Sequence, residues 1–374
     1  MSDLVVRPVA SRRQRRAFVG FPWDLYHNDP NWIPPLRAGV KELLNYRHHP
    51  FYERNEIQTF LAYRGGEVCG RIAAIVDQGY IEKFKERRGY FGFFECVDDA
   101  KVAAGLFDAA RQWLADRDIH RVRGPLSPGL NYEIGLLVEG FDTPPTFLIP
   151  HNPPYYAKLI EGCGFHQAQD LYSFTGKVSR LGEVQAKRKR VSEEIQARYG
   201  ITLRPMNKKR FVDDVRMFFE IYNRSLVAHW SFVPLSPAEM IHMAKGLSFL
   251  IVPELALAAE IDGRTVGAVF ALPDYNPRIK KIDGRLFPFG VLRLLWRKRK
   301  IPRLRILAAN TLPEYQLMGV GLVLAGGLVP KILDWGIEEV EFSWVAQSNA
   351  LSRGSLEKGG AVLSKTHRVY DLDP

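Results

Sequence analysis

The chain has 374 residues, which is more than one average domain core requires and favours two domains. Hydrophobic residues make up 46% and charged residues 25%, so the composition excludes a disordered chain and gives no support to an integral membrane protein. The formal net charge of +11 favours acidic partners such as nucleic acid, an anionic cofactor or an anionic membrane surface, and charge alone does not choose among them.

Cysteine use and hydropathy indicate a cytoplasmic protein. Cys69, Cys96 and Cys163 are widely spread, which argues against a disulfide framework and against zinc-ligand spacing, so we expect no metal centre. The opening sequence MSDLVVRPVASRRQRR lacks the apolar stretch of a signal peptide. The most apolar run, residues 317–329, is shorter than the roughly 18 to 20 residues that a membrane span needs.

The first half of the chain predicts a series of strands and helices. A short strand in DLVVRPV is followed by two strands, IQTFLAYRG and EVCGRIAAIVD, which Gly65 and Gly66 join as a hairpin. The strand RGYFGFFECV leads into DDAKVAAGLFDAARQWLADR, whose apolar residues recur at helical spacing and which Asp98 or Asp99 would cap. The strand HRVRGPL, the long segment NYEIGLLVEGFDTPPTFLIPHNPPYY and the helix YAKLIEGCGF complete this half.

The second half repeats this order. A charged, helical stretch at residues 179–200 is interpreted as a linker between an N-terminal domain, residues 1–178, and a C-terminal domain, residues 201–374. In the second domain ITLRPM echoes LVVRPV, ELALAAEIDGRTVGAVFAL echoes the hairpin, and LRILAAN with the turn after it echoes the strand and helix. The internal repeat therefore predicts two similar domains side by side.

Two glycines follow the strand in RILAAN. After a polar turn, Gln316, Gly319 and Gly321 open an apolar helix, and the first N–H groups of a helix lack backbone partners and carry positive potential. Glycines let a phosphate approach the backbone and can adopt positive φ. The three-glycine dinucleotide pattern and the lysine-containing phosphate loop are both missing, so the pattern indicates another pyrophosphate compound. A structural glycine pair, at a close contact of helix and strand, is the alternative.

This stretch resembles the signature loop of the acyl-CoA N-acyltransferase (GNAT) superfamily, Gln/Arg-x-x-Gly-x-Gly/Ala, placed after a strand and before a helix. The resemblance implies that the loop binds the pyrophosphate of acetyl-CoA or a longer acyl-CoA through Gln316, Leu317, Met318, Gly319, Val320 and Gly321. It also implies that the edge of the preceding strand pairs with the pantetheine arm through Leu307, Ala308, Ala309 and Asn310.

The resemblance extends to the rest of the chain. It implies an α/β fold with a mixed α+β sheet, built as two tandem GNAT-like domains. The N-terminal domain is degenerate in the cofactor loop, because Asp98 and Asp99 stand there and would repel a pyrophosphate. The family's later helix is matched by NALSRGSLEKGGA, which makes Asn349 a candidate catalytic residue. Leu356 stands where the family often has a tyrosine general acid.

Acyl transfer to an amine needs a base that takes the amine's proton. Glu133 is the first candidate, with Asn131 beside it, because its apolar neighbours would raise its pKa; a strand-end carboxylate held by backbone amides is the alternative. Asp274 and Asn276 in ALPDYNP could reach the acceptor amine, although Asp, Asn and Pro together are also ordinary turn chemistry. His151 and His229 are candidate relays or simply core residues.

Residues 286–300, in RLFPFGVLRLLWRKRK, combine an apolar face with basic residues. This segment is interpreted either as a peripheral membrane contact or as a lid or dimer contact. The chain also resembles bacterial ceramide synthase-like acyltransferases, in NYE.GLLVEGFD.PP, NPPYY and LPDYN, where dots mark variable positions; some of these are associated with N-acylation of sphingoid bases.

These patterns together predict an acyl-CoA-dependent N-acyltransferase. Its acceptor would be a primary amine, including a long-chain or lipid amine, and it would work in the cytoplasm or at the inner face of the membrane. A non-catalytic GNAT-fold protein at a membrane surface is the alternative, which Leu356 favours. We do not expect a nucleic-acid partner, because aromatic residues do not alternate with the basic clusters and no helix-turn-helix or zinc spacing is present.

Overall fold

A computed structural model describes residues 3–374, except for the side chains of residues 180–188. Contacts divide the chain into two compact units. The first unit comprises residues 1–171, 276–290 and 365–374, and the second comprises residues 172–275 and 291–364.

The first unit contains a five-strand series with helices between the strands. Its elements are β1 (Leu4–Pro8), α1 (Arg12–Leu25), α2 (Arg37–Leu43), β2 (Glu56–Arg64), β3 (Glu67–Val76), α3 (Gln78–Phe84), β4 (Arg88–Cys96), α4 (Ala100–Ala115), β5 (Arg121–Gly124), β6 (Leu126–Ser127), β7 (Glu133–Ile134), β8 (Leu136–Glu139), α5 (Tyr156–Glu161) and the start of β9 (His166–Lys177). The strands are ordered β1-β2-β3-β4-β5, and only β4 and β5 among these neighbours run parallel.

The second half of the chain has the same kinds of element. They are α6 (Val178–Tyr199), β10 (Thr202–Pro205), α7 (Phe211–Leu226), α8 (Pro237–Leu247), β11 (Ala256–Ile261), β12 (Arg264–Pro273), α9 (Asn276–Lys281), α10 (Gly290–Leu295), β13 (Arg303–Thr311), α11 (Val320–Asp334), β14 (Glu339–Ala346), α12 (Ala350–Lys358) and β15 (Val362–Leu372). Of these, α9 belongs to the first unit, as does the end of β15. The strand order is β10-β11-β12-β13-β14, and β13 and β14 run parallel.

The two series correspond element by element. Each has a strand, two helices, a hairpin, one or two short helices, a fourth strand, a long helix, a parallel strand and a shorter helix, and only the first adds β6–β8 before its shorter helix. The long helices, α4 and α11, each bury one apolar stripe against their own sheet. In α11 the stripe is formed by Val320, Val323, Leu324, Leu328 and Ile332.

In each unit the strands include one from the other half of the sequence. In the first unit, β5 pairs with the end of β15, from Val122 opposite Leu372 to Gly124 opposite Tyr370. Arg123 on β5 and Asp371 on β15 reinforce the pairing with two hydrogen bonds of 2.7 and 2.6 Å. In the second unit, β14 lies next to β9. The last strand of each repeat is therefore exchanged.

The predicted linker is a helix of the second unit. Residues 179–199 lie in α6, which ends at Gly200, and Ile195 on this helix packs against the core formed by α11 and its sheet. The contact units therefore have limits other than the predicted domains 1–178 and 201–374. Among the described residues, no helix combines the length and the apolar character that crossing a bilayer would require.

Candidate active site

Strand β13 has an open edge over its last residues. The register between β12 and β13 shifts at Phe270, so that Leu307 has no residue opposite it. A bulge of this kind bends a strand and increases its twist. The parallel pairing of β13 with β14 ends at Ile306 and Phe342. From Leu307 to Asn310 the edge facing β14 has no strand partner among the described residues, and an extended ligand could pair there.

The predicted pantetheine-binding residues occupy this edge. Leu307, Ala308 and Asn310 are half-buried, and Ala309 is exposed. The side-chain oxygen of Asn310 is buried and has no hydrogen-bond partner in the described part of the chain. A buried acceptor without a donor costs about 1 to 3 kcal/mol. Asn310 therefore suits a ligand that brings an amide N–H.

The turn after β13 leaves the start of α11 accessible. Residues Pro313–Met318 form a 3-10 turn, and Gly319 follows in the left-handed region with φ of 78°. No described side chain caps α11. The Leu322 N–H donates to the Gly319 carbonyl oxygen at 2.9 Å, so the N–H groups before it, at Val320 and Gly321, are the ones available to an anion, as the phosphate-binding prediction requires.

The predicted loop residues are mostly open to solvent. Leu317 is 98% exposed, and Gln316 is exposed and donates a hydrogen bond of 3.4 Å to the Thr311 carbonyl oxygen. Met318 is half-buried, and Val320 is fully buried in the core. Other side chains thus do not seal the loop.

The two glycines have different roles in the fold. Gly319 needs its positive φ, and a Cβ at this position would lie 2.9 Å from Cδ1 of Ile195. Gly321 has ordinary φ, and a Cβ there would have no described atom within 4 Å apart from its own helix turn. The fold therefore requires a glycine at 319 but not at 321, where the free space suits a ligand.

The matching edge in the first unit is filled. Pairing of β4 with β5 ends at Tyr90, and the β6–β7 hairpin packs against β4 beyond it. Ser127 Oγ accepts a hydrogen bond of 2.9 Å from the Phe93 N–H. A Cβ on Gly92 would lie 2.0 Å from the Leu126 carbonyl oxygen. An extended ligand has no room there.

The helix after β4 is also closed to anions. Oδ1 of Asp99 accepts hydrogen bonds of 2.9 and 3.2 Å from the N–H groups of Lys101 and Val102 at the start of α4. Arg64 donates to Oδ2 of Asp99 at 2.7 Å, and this bond lowers the pKa of Asp99. A carboxylate thus occupies the position that is uncapped in α11.

Glu133 lies on β7, opposite Ser127. Desolvation by the surrounding protein and repulsion from Glu95 raise its pKa to about 7, and Arg71 acts in the opposite direction. The Glu133 side chain is nevertheless exposed, so screening by solvent weakens this shift. Half-buried Asn131 lies two residues before it. A carboxylate with this pKa can accept a proton near neutral pH.

The neighbouring Glu95 is held by a buried polar cluster. Its Oε2 accepts hydrogen bonds from the hydroxyls of Tyr26 and Tyr156, at 2.6 and 2.8 Å. Arg71 lies 3.4 Å from Oε1 and donates to the Phe18 carbonyl oxygen at 2.7 Å. Burial raises the pKa of Glu95, although the charge of Arg71 and the two tyrosine hydrogen bonds act in the opposite direction. The cluster fixes a second carboxylate close enough to influence Glu133.

The two candidate relay histidines have depressed basicity. Nε2 of His151 lies 2.7 Å from Oδ2 of Asp29, and burial lowers the pKa of His151 although Asp29 opposes the shift. Burial also lowers the pKa of His229. Both rings thus favour the neutral form.

Asp274 is buried, with 2% of its surface exposed. The Asp274 N–H donates to the Arg303 carbonyl oxygen at 2.9 Å. Arg303 begins β13 and lies about 13 Å along the strand from Leu307, where the open edge starts. Burial lowers the pKa of Arg305 to about 10, while Glu341 and Asp274 oppose the shift. Asp274 thus balances a buried guanidinium, and its catalytic role stays a prediction.

Asn349 caps α12. Its side-chain oxygen accepts a hydrogen bond of 3.0 Å from the Ser352 N–H, which accounts for an asparagine here without any ligand. Leu356, in the place of the family's tyrosine, is half-buried on the same helix. The catalytic role of Asn349 also stays a prediction.

The predicted residues thus form two groups. Asn131 and Glu133 lie in the first unit, with Glu95. The residues of β13, its turn, Asp274 and Asn349 lie in the second unit, where the open edge of β13 continues into the uncapped start of α11. The sequence did not reveal Glu95 as a site residue, nor the β6–β7 hairpin that fills the edge of β4. The acidic residue inside the apolar run FGFFECV was the available signal for Glu95.

Comparison with known proteins finds relatives along the whole chain. It is 34% identical to Protein YghO of Escherichia coli K12 over 98% of this chain and 95% of the relative. It is also 34% identical to a bacterial ceramide synthase of Caulobacter vibrioides, over 99% of this chain and 97% of the relative. No model of a protein family matches the chain.

Solved structures share the fold. A tandem GNAT protein from the clavulanic acid biosynthesis pathway superposes with a TM-score of 0.57 at 12% identity, over 100% of this chain and 99% of that one. The predicted fold, two tandem GNAT-like domains with a mixed sheet, is confirmed.

Proposed function

The chain belongs to the family of Protein YghO and a bacterial ceramide synthase and has the fold of a tandem GNAT protein, and from this premise we propose an acyl-CoA-dependent N-acyltransferase with a long-chain amine as acceptor. The observation that carries the proposal is the open edge of β13 leading to the uncapped start of α11. The first unit has neither feature, because β6 and Asp99 fill the matching positions.

The residues of the second unit fit coenzyme A. The N–H groups at residues 319–321 would bind the pyrophosphate, and the peptide groups of residues 307–310 would pair with the pantetheine amides. The buried oxygen of Asn310 would accept one further hydrogen bond. When bound, an acyl-CoA supplies an activated thioester.

We propose Glu133 as the base. An amine attacks only in its neutral form, so a proton must be removed, and a carboxylate with a pKa of about 7 accepts it near neutral pH. Glu95 increases the proton affinity of Glu133 by repulsion, while the hydroxyls of Tyr26 and Tyr156 keep Glu95 in place. The cluster around Glu95 thereby raises the pKa of Glu133 without contacting the acceptor.

The choice of acceptor rests on the relative. A ceramide is the amide that forms when a long-chain amine is acylated by a fatty acyl group, and the bacterial ceramide synthase matches 99% of this chain. We therefore propose a lipid amine as the acceptor and a long-chain acyl group as the donor.

The test combines binding and turnover. Gly321→Trp fills the space beside the start of α11 without the strain that Gly319 substitutions would bring. We expect it to abolish coenzyme A binding in calorimetry, and to abolish amide formation from a long-chain acyl-CoA and a long-chain primary amine, detected by mass spectrometry. Gly246→Trp on α8 is the control, since Gly246 is exposed, lies in the same unit, and has no described atom outside its own helix turn within 4 Å of its Cβ position.

Two results would contradict the proposal. If Gly321→Trp bound coenzyme A as tightly as the wild type, the loop at residues 316–321 would not be part of the cofactor site. Coenzyme A binding without amide formation, across donors of every chain length and several amines, would instead support the non-catalytic alternative, which Leu356 favours.

A further inference from the structure

A basic groove of about 680 Å³ lies in the second unit, beyond the end of α11. Its charged lining residues are Lys208, Glu254, Arg297, Lys298, Arg299 and Lys300. Helix α11 is about 22 Å long and separates the groove from the turn at Gly319. The groove is therefore distinct from the proposed pyrophosphate site.

The basic side chains of the groove are crowded together. Nζ of Lys298 lies 6.0 Å from the centre of the Trp335 ring, and Cζ of Arg299 lies 5.3 Å from the same ring. Burial and the charge of Lys208 lower the pKa of Lys298, although Glu254 opposes the shift. An anion in the groove would relieve the repulsion among these cations.

Helix α10 presents large apolar side chains next to this groove. Leu292 is 66% exposed and Trp296, just after the helix, is 69% exposed. Leu294 is fully buried and fixes the helix to the protein, while Leu295 lines the groove. Apolar and cationic residues that adjoin in this way match the boundary between phosphate headgroups and acyl chains.

We propose that this surface, the basic groove with Leu292 and Trp296, docks on an anionic phospholipid membrane. Headgroup phosphates enter the groove, and the two apolar side chains insert below them. A nucleic acid would supply phosphates as well, but it has no apolar layer for an exposed leucine. Docking does not depend on the proposed acyl transfer, so the two can fail separately.

The experiment measures flotation of the full chain with vesicles. We expect binding to phosphatidylcholine vesicles that contain phosphatidylglycerol, weak binding to pure phosphatidylcholine, and loss of binding at high salt. The variant Lys298→Glu/Lys300→Glu should bind at least roughly 25-fold more weakly, since each basic residue near an anionic surface contributes about fivefold. Leu292→Ser/Trp296→Ser should reduce binding by roughly tenfold or more.

Matched control variants test whether a loss of vesicle binding is specific to this surface or follows from any loss of positive charge or of an exposed apolar side chain. Lys189→Glu/Arg190→Glu removes the same charge on α6, at side chains that are 71% and 83% exposed. Leu351→Ser removes a 78% exposed leucine on α12. Both controls should float like the wild type, and thermal unfolding should show that every variant is folded.

Several outcomes would overturn the proposal. These are no binding to anionic vesicles, equal losses in the control variants, and retention by duplex DNA or RNA without retention by vesicles. If millimolar inorganic phosphate displaced the protein from vesicles at constant ionic strength, a small-anion site would replace the membrane docking site.

Discussion

Replacing Glu133 by glutamine should lower acyl transfer and stabilise the protein at the same time. Glutamine keeps the size of the side chain but can neither accept the proton nor carry the charge that Glu95 repels. The loss of a general base typically costs 10²- to 10⁴-fold in rate. With the base removed, the rise in kcat with pH near 7 should disappear.

The stability effect follows from the raised pKa. Glu133 has a pKa of about 7 in the folded protein against a usual value of 4.5, so folding takes up a proton between these pH values. The wild type therefore loses stability as pH rises from about 4.5 to 7, and the deficit persists above 7. The shift corresponds to about 3 kcal/mol, and exposure of the side chain reduces this to about 1 to 2 kcal/mol.

Urea unfolding at several pH values checks the direction of this change in stability with pH. Glu133→Gln should match the wild type near pH 4.5 and exceed it by about 1 to 2 kcal/mol above pH 7. Glu67→Gln, at the exposed β2–β3 turn, is the control and should show no such trend. A stability gain that is equal at all pH values, or a pH profile of kcat that keeps its step near 7, would refute the reasoning.

Three further predictions concern the turn at Gly319, the cap of α4 and the buried charge of Arg305. Gly319→Ala should destabilise the protein by about 1 to 2 kcal/mol in urea unfolding, because φ is 78° there, whereas Gly321→Ala should be neutral or stabilising by up to about 1 kcal/mol; equal losses would argue against the conformation of the turn. Asp99→Ala should cost about 1 kcal/mol by uncapping α4 and leave coenzyme A affinity unchanged in calorimetry, and a change in affinity would mean that the first unit contributes to cofactor binding. Arg305→Met should cost about 3 to 5 kcal/mol, with partial recovery on adding Glu341→Gln, because the single change leaves a carboxylate buried without its cation; additive losses would contradict this coupling.

Local patterns predicted the elements around the glycine turn. The strand in RILAAN, the left-handed position at Gly319 and the helix after it depend on neighbours in the chain, and the structure has all three. The β2–β3 hairpin at Gly65 and Gly66 was predictable for the same reason. The pair Asp98 and Asp99 predicted a helix cap and repulsion of a pyrophosphate in the first unit, and the structure assigns the cap to Asp99.

Long-range packing was not predictable from these patterns. The open edge at Leu307 depends on where β13 leaves β14, and the filled edge in the first unit depends on Ser127 reaching β4. The cluster around Glu95 gathers Tyr26 and Tyr156 from positions far apart in the chain, and no local periodicity reports such contacts. Asp274 was placed correctly after a strand, but its burial depends on its balance with Arg305.

The pairing of β5 with β15 has a consequence for protein synthesis. Residues 121–124 leave the ribosome long before residues 370–372, so the first sheet must wait with an unpaired edge while about two hundred and forty further residues are translated. An unpaired edge strand invites association with other chains. Nascent chains halted before residue 370 should therefore be the species that chaperones hold, and a fragment that stops at residue 178 should aggregate instead of folding as a separate domain.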